Sequence, residues 1–310
     1  MIPAPFDYIR ATTLDQALDL VAGADPSIRA LAGGQSLIPL MKLRLARPER
    51  LVDLGGLAEL RGVCKRDDGA LAIGALTTWA DLLADPRVLR YGALADALPV
   101  IGDVQVRNRG TIGGSRAHAD PASDIAAPAL VLEIEVVVRS AARGPRSIPV
   151  ADLFSGPFAT TIAPDEILTE VRIPAAVSRP PGTVSASAYR ALPQPASGYP
   201  IAGVAVALTR ARNGAISRCA IGVTGVGEQP YRAVDVERAL LRTGSGVTVG
   251  TTIRPAGPAG PIGETVEHAF REIVAGQRVA ADIHADRDYR AAMAAVMARR
   301  AFEAAVARLG

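Results

Sequence analysis

Apolar residues along this chain fall into short runs of two periods, and the runs predict short helices alternating with short strands. Leu14, Ala17, Leu18 and Val21 recur at helical spacing behind Thr13-Leu14-Asp15-Gln16, a capping-box pattern, and Gly23 closes the element. IRALAGG, from Ile28, reads as a strand running into a Gly-Gly turn, and RLVDL, from Arg50, as another strand. ALAIGALTTWADLLADP, from Ala70, gives a strand, a cap at Thr78 and a short helix stopped before Pro86. The β-branched run LEIEVVVRS, from Leu132, suits a strand covered on both faces. EILTEVRIP and TVSASAYRAL predict strands on either side of Pro180-Pro181, where a domain boundary is expected. The stretch from Ile201 to Gly227 predicts a hairpin, with Asn213-Gly214 supplying the positive φ values of a tight primed turn. Beyond it YRAVDVERALL, GETVEHAFREIVAG and Asp286 to Leu309 predict helices, and the Gly/Pro-rich segment from Arg242 to Gly263 predicts a flexible loop.

Composition narrows the field. A chain of 310 residues, 49% apolar and 21% charged, has material for two packed domains and is not disordered. The pI of about 9.1 comes with a net charge of only +3 and no run of like charge longer than three residues, so no nucleic-acid-binding stripe is expected. Cys64 and Cys219 are far apart and form no CxxC, which leaves neither a disulfide framework nor a metal or iron–sulfur site; both read as small reduced apolar residues. The opening MIPAPFDYIR has no charged leader and no stretch reaches membrane-spanning length, so no transmembrane segment and a cytoplasmic location are expected.

Two glycine-rich stretches carry the candidate chemistry: LAGGQSLIPLMKLRL, from Leu31, and RGTIGGSRAHADPASD, from Arg109. Glycine admits φ > 0 and lets a ligand approach the main chain, so successive N–H groups can converge on an anion such as a pyrophosphate. Neither stretch is a GxGxxG opening a helix or a GxxxxGK[ST], which argues against a Rossmann site and a P-loop. Chain reversal alone would explain either turn; two of them, each beside a hydroxyl and one followed by an acid, favour dinucleotide binding without deciding it.

AGGQSLIPLMKLRLARPERLVDL and RGTIGGSRAHADPASD resemble the two FAD-binding segments of the medium, flavoprotein subunit of molybdenum hydroxylases, the family of aerobic carbon monoxide dehydrogenase and xanthine dehydrogenase. YRALPQPASGYPIAGVAVAL resembles the opening of that subunit's C-terminal domain and DIHADRDYRAAMAAVMARRAFEAA its last helix. The resemblance implies an α+β fold: a two-subdomain FAD-binding domain of the vanillyl-alcohol-oxidase/PCMH type over 1–177, with subdomains of about 1–56 and 57–177, then a smaller α/β domain over 178–310 like the C-terminal domain of the carbon monoxide dehydrogenase flavoprotein. It implies that Ala32, Gly33, Gly34, Gln35 and Ser36 wrap the FAD pyrophosphate through backbone N–H groups. Thr111, Gly113, Gly114 and Ser115 would form the opposing cradle, His118 a polar contact, and Asp124 a carboxylate for a ribose or ribityl hydroxyl. Leu168 would pack near the flavin rings, Arg190 stand close to them, and Tyr199 cover a ring face. It further implies an electron-transfer role with no catalytic acid or base on this chain. The molybdenum cofactor would sit on a large subunit and two [2Fe–2S] clusters on a small iron–sulfur subunit, in a dimer of heterotrimers. A variant of the subunit with its own cysteine-rich cluster segment is excluded by the two cysteines.

Plainer roles compete with several of these. His118 could be a loop histidine satisfied by backbone, Asp120 a turn former before Pro121, and Asp124 a helix cap. Arg116 departs from the small or apolar residue expected after Gly-Gly-Ser and leaves the shape of that loop open. Trp79 reads as core, Met293 and Met297 as core packing, and the C-terminal arginines as a solvated face. Two other function classes stand beside the leading one. A self-contained flavin oxidoreductase would need a pocket-lining set of polar residues that this Ala-, Val- and Gly-rich C-terminal half does not offer; a scaffold without flavin would not need intact Gly-Gly turns.

Overall fold

The structure, a computed structural model, describes residues 2–175, 182–243 and 261–310. The boundary expected at 177 and Pro180-Pro181, and most of the loop expected between Arg242 and Gly263, lie outside the described residues. The chain folds as α+β in two compact units. One comprises the described residues up to Asp85, with Gly102–Asp120 and Glu133–Ala175; the other comprises Pro86–Ile101, Pro121–Leu132 and the described residues from Gly182 onward.

The first unit begins with β1 (Asp7–Arg10), α1 (Leu14–Val21), β2 (Ile28–Leu31), α2 (Leu37–Lys42) and β3 (Arg50–Asp53). These strands form a parallel sheet in the order β1-β3-β2, the arrangement that helical crossovers permit. Leu51 and Val52 on the central strand are both buried, and α1 packs Ala17, Leu18 and Val21 with Val52, Leu54 and Leu57 in one core. Thr13 caps α1 by accepting from the Gln16 amide, but the Gln16 side chain returns to Thr12 rather than to Thr13, so the reciprocal arm of the expected capping box is displaced by one residue.

A five-stranded antiparallel sheet follows, ordered β4-β5-β10-β6-β7. Its strands are β4 (Val63–Lys65), β5 (Leu71–Gly74), β6 (Glu135–Ser140), β7 (Gly144–Pro149) and β10 (Glu166–Ile173), with the small hairpin β8 (Phe154–Gly156) and β9 (Ala159–Thr160) between β7 and β10. Before β6 the chain runs through α3 (Trp79–Ala84), α4 (Pro86–Leu89), α5 (Gly92–Ala97), α6 (Val104–Arg109), α7 (Ile112–His118) and α8 (Ala126–Val131). Thr78 and Asp81 close a complete capping box on α3, and Trp79 is buried as expected of a core aromatic. β6 buries Val136, Val138 and Ser140 and leaves the residues between them partly exposed; it is covered on one face, not two.

The second unit is built on the antiparallel sheet β11 (Val184–Pro193), β12 (Pro200–Arg210), β13 (Ile216–Thr224) and β14 (Tyr231–Arg232), in that order, with α9 (Val234–Thr243), α10 (Pro261–Arg271) and α11 (Arg287–Ala307). Here β12 is the strand buried on both faces. Ala202, Val204, Val206 and Leu208 join a core with α11 residues including Met297, Ala298 and Ala301, while Ala205 and Ala207 join Ala93, Ala97, Ala127 and Val131 of α5 and α8. Small side chains on that second face let the helices approach. The hairpin turn is not the two-residue primed turn expected from Asn213-Gly214. The Gly214 amide bonds to Ala211 O, only Gly214 of the pair has positive φ (84°), and Ala211 N bonds to Ala215 O, which makes a three-residue loop. Two C-terminal arginines also depart from a solvated face: Arg290 is 5% exposed and donates to Ile201 O and Gly225 O, and Arg308 pairs with Asp96. Cys64 is exposed; Cys219 is buried, and burial pushes its thiol up to about 12. No helix among the described residues is long and apolar enough to cross a membrane.

Candidate functional site

The β2–α2 connection is a true bend. Gly34 sits at φ 75°, a left-handed conformation that glycine takes without the Cβ penalty. Gly33 serves close approach, since a Cβ there would overlap the Arg109 carbonyl and come within 2.9 Å of Gly110 Cα. Among the described residues none accepts from the N–H groups of Gly33, Gly34, Gln35 and Ser36. Unsatisfied backbone donors in a half-buried bend are costly unless water or a ligand takes them, and several together make an anion-binding concavity. Gln35 is exposed and its side chain lies 3.4 Å from Gly33 O; Ser36 precedes α2 without a side-chain capping bond.

The second glycine pair is different in kind. Residues 111–115 were expected as a bend, but Gly113 and Gly114 stand in the first turn of α7, with Thr111 as N-cap. Their amides are committed: Ile112 N bonds to Thr77 O at 3.1 Å, Gly113 N to Ala75 O at 2.9 Å, and Gly114 N to Thr111 Oγ1 at 3.2 Å. A backbone cradle of the kind expected there is therefore not available from these two glycines. Gly113 has a packing purpose instead, because a Cβ would stand 2.5 Å from Ala75 Cβ and 2.8 Å from Ala75 O. The Ala75 peptide in turn donates to Thr169 O, at the bulge that β10 makes between Leu168 and Glu170. Buried Leu168, one residue before that oxygen, is thus linked to α7 through the backbone of a single residue, Ala75.

Both segments line one cleft of about 250 Å³ in the first unit, contributed to by Ala32, Gly33, Thr78 and Thr111. Arg10, Asp53, Gly55, Arg61, Asn108 and Arg109 complete its polar lining, and none of these six was singled out from the sequence. Asn108 stands directly before the motif RGTIGG, Arg109 opens it and Asp53 ends the segment AGGQSLIPLMKLRLARPERLVD, so these three could have been found there; Arg10, on β1, and Arg61, before β4, carry no motif. Asp53 ends β3 and is fixed by the Tyr8 hydroxyl and by the Gly55 amide at 2.8 Å, with Arg10 Nε at 3.9 Å. The bond to Asp53 raises the Tyr8 pKa, since the phenolic proton is held by a carboxylate.

The remaining expected site residues are distributed over both units. In the first, His118 ends α7 half-buried against Phe158, ring centroids 5.3 Å apart, and burial lowers its pKa while Asp120 opposes the shift. Arg116 is fully buried, and burial brings its pKa down to about 10. Ser115 lies close enough to take a bond from the Arg116 guanidinium at 3.3 Å. In the second, Asp124 is no helix cap: α8 starts at Ala126 with no side-chain cap, and Asp124 Oδ1 accepts from the Tyr189 hydroxyl at 2.7 Å. Burial, and then the Asp124 charge, holds that phenol well above its ordinary pKa. Arg190 Nη1 bonds Asp96 at 2.8 Å and its neighbour's carbonyl at 2.7 Å. Burial alone would raise the pKa of Asp96, but Arg308, the Tyr189 amide and Arg190 together lower it. Tyr199 is 47% exposed before β12. Among the described residues no cluster of His, Cys, Asp or Glu could hold a metal ion.

Residues 4–176 match the family model described as the FAD binding domain in molybdopterin dehydrogenase. The chain is 35% identical to the carbon monoxide dehydrogenase medium chain of Hydrogenophaga pseudoflava over 99% of both sequences. It is 34% identical to the nicotine 6-hydroxylase medium subunit of Paenarthrobacter nicotinovorans over 97% of each. The solved carbon monoxide dehydrogenase from H. pseudoflava, in a form lacking the Mo-pyranopterin moiety of its molybdenum cofactor, superposes with a TM-score of 0.84, at 35% identity and 99% coverage of both chains.

Proposed function

The chain belongs to the family of FAD-binding domains of molybdopterin dehydrogenases, and from that premise we propose that its β2–α2 bend and the cleft beside it hold FAD for the electron-transfer subunit of a heteromeric molybdenum hydroxylase. The observation that carries the site assignment is the set of four consecutive amides, 33–36, with no acceptor among the described residues, beside a cleft with arginines on its wall. That donor set suits a diphosphate.

The residues divide the work as their geometry allows. Gly33 and Gly34 keep the bend free of side-chain bulk, and the amides of 33–36 donate to the diphosphate. Thr111 already accepts from Gly114 N through its oxygen, but the hydroxyl proton is still its own to donate, so Thr111 contributes a side-chain donor and α7 a rigid wall. Ala32, Ser115, His118 and Leu168 of the first unit belong to the same reading as contacts of the bound dinucleotide. When bound, FAD supplies reversible electron uptake and release, and no acid or base on this chain is asked for. The large molybdopterin-binding subunit, the small iron–sulfur subunit, a dimer of heterotrimers and a cytoplasmic location belong to the same proposal. Relatives that are medium chains or medium subunits along their whole length support a subunit over a self-contained oxidoreductase.

Purification of the native complex tests this. The chain should carry about one FAD, released on denaturation, and should co-purify with two further subunits bearing molybdenum and iron–sulfur clusters. A colourless chain that takes up no FAD would sink the reading.

A further inference from the structure

Of the charged side chains on the cleft, three are arginines, Arg10, Arg61 and Arg109, and one is a carboxylate, Asp53. Asp53 is already committed to the Tyr8 hydroxyl and the Gly55 amide and is only 15% exposed. The arginines are held loosely by comparison. Arg10 meets Asp53 only at 3.9 Å, Arg61 donates to Gly55 O at 3.3 Å, and the Arg109 guanidinium bonds to none of the described residues. Solvated arginines on a convex surface would need no explanation. These three come instead from β1, from the segment before β4 and from the end of α6, and they meet at a concave wall next to the open amides of the β2–α2 bend. An excess of positive charge in a cleft with low-dielectric walls concentrates anions there.

We infer that Arg10, Arg61 and Arg109 form a guanidinium triad that neutralises the diphosphate of a bound nucleotide, so that the cleft retains a nucleoside diphosphate by itself, without the flavin rings. The inference rests on the FAD reading for its physiological ligand but makes its own demand: the diphosphate is held by side-chain charge as well as by backbone donors. Arg61 and Arg10 become binding residues that no motif marks. Arginine suits the task because its planar fork offers paired donors to phosphate oxygens.

The full chain, freed of nucleotide, is titrated calorimetrically with FAD, ADP and riboflavin, as wild type and as Arg10→Gln, Arg61→Gln, Arg109→Gln and Arg61→Lys. The triad requires that ADP bind and compete with FAD. Each glutamine variant should weaken ADP and FAD in parallel by roughly tenfold, leave riboflavin unchanged, and reduce the salt dependence of ADP binding. Arg61→Lys should recover part of the loss. Circular dichroism and melting temperature establish that the variants fold, as replacing three exposed side chains should allow. Absence of ADP binding to the wild type, or glutamine variants that bind ADP as tightly as the wild type, overturns the triad. Failure of the wild type to bind FAD while ADP binds in an arginine-dependent way instead overturns the FAD reading and leaves the triad standing.

Discussion

The two Gly-Gly pairs look equivalent in the sequence and do opposite things in the structure. Gly33-Gly34 forms a bend with one residue at positive φ and open amides. Gly113-Gly114 forms the first turn of a capped helix whose amides are all spent on Thr77, Ala75 and Thr111. Gly33 lets the bend close onto the Arg109–Gly110 main chain while its own amides stay open; Gly113 lets a helix come down onto Ala75. A glycine pair therefore says that something approaches the backbone closely, and whether the amides beside it stay open or are spent is decided by the rest of the fold.

Substitutions can break this comparison, and the largest effect belongs to Gly33. In Gly33→Ala the new Cβ meets main chain at Arg109–Gly110, which cannot swing aside, so the bend and its donors must move. Loss of alignment of two charge-assisted bonds should raise the FAD dissociation constant roughly a hundredfold or more, measured by fluorescence titration. Gly34→Ala comes next. Its strain is the left-handed φ, about 1–2 kcal/mol, because the nearest group, the Ile38 side chain, can rotate; FAD affinity should fall about tenfold.

Gly113→Ala should invert the pattern. It presses on Ala75 and should cost about 1–3 kcal/mol of stability, seen as a lower melting temperature, while the folded fraction keeps its FAD affinity within about threefold. A Gly113→Ala protein of unchanged stability that had lost FAD would overturn the contrast between the two glycine pairs.

The smallest effect concerns His118, at the far end of the same helix. Its folded pKa lies below the ordinary 6.5 because burial disfavours the charged ring. The neutral form is favoured in the fold, so the chain is fully stabilised above 6.5 and loses that share as pH falls through 6.5, where the unfolded state takes up the proton first. His118→Gln should flatten the slope of stability between pH 7 and pH 5, measured as melting temperature against pH.

Much of the fold was legible locally. Thr13 and Thr78 cap helices where the pattern placed them, because a cap needs only a side chain and an amide three residues on. Misreadings came where distant chain decides. LEIEVVVRS has the composition of a doubly covered strand but only one face is packed, whereas the Ala-rich β12 is enclosed on both. Asp124 stands where a cap would be read, and the Tyr189 hydroxyl from β11 takes it. Arg290 reads as part of a polar helix face and is buried because two backbone carbonyls and Asp282 meet its donors.

By itself the sequence determined the segments: where helices start, which runs form strands, and that two side-chain-poor stretches would each receive a close neighbour, since glycine's missing Cβ is a local property. The tertiary structure alone decided which neighbour each received and that two unmarked side chains, Arg10 and Arg61, would stand on one cleft wall with Asp53. Those meetings depend on strand order, with β3 inserted between β1 and β2, and sheet order is settled by long-range packing that no local spacing encodes.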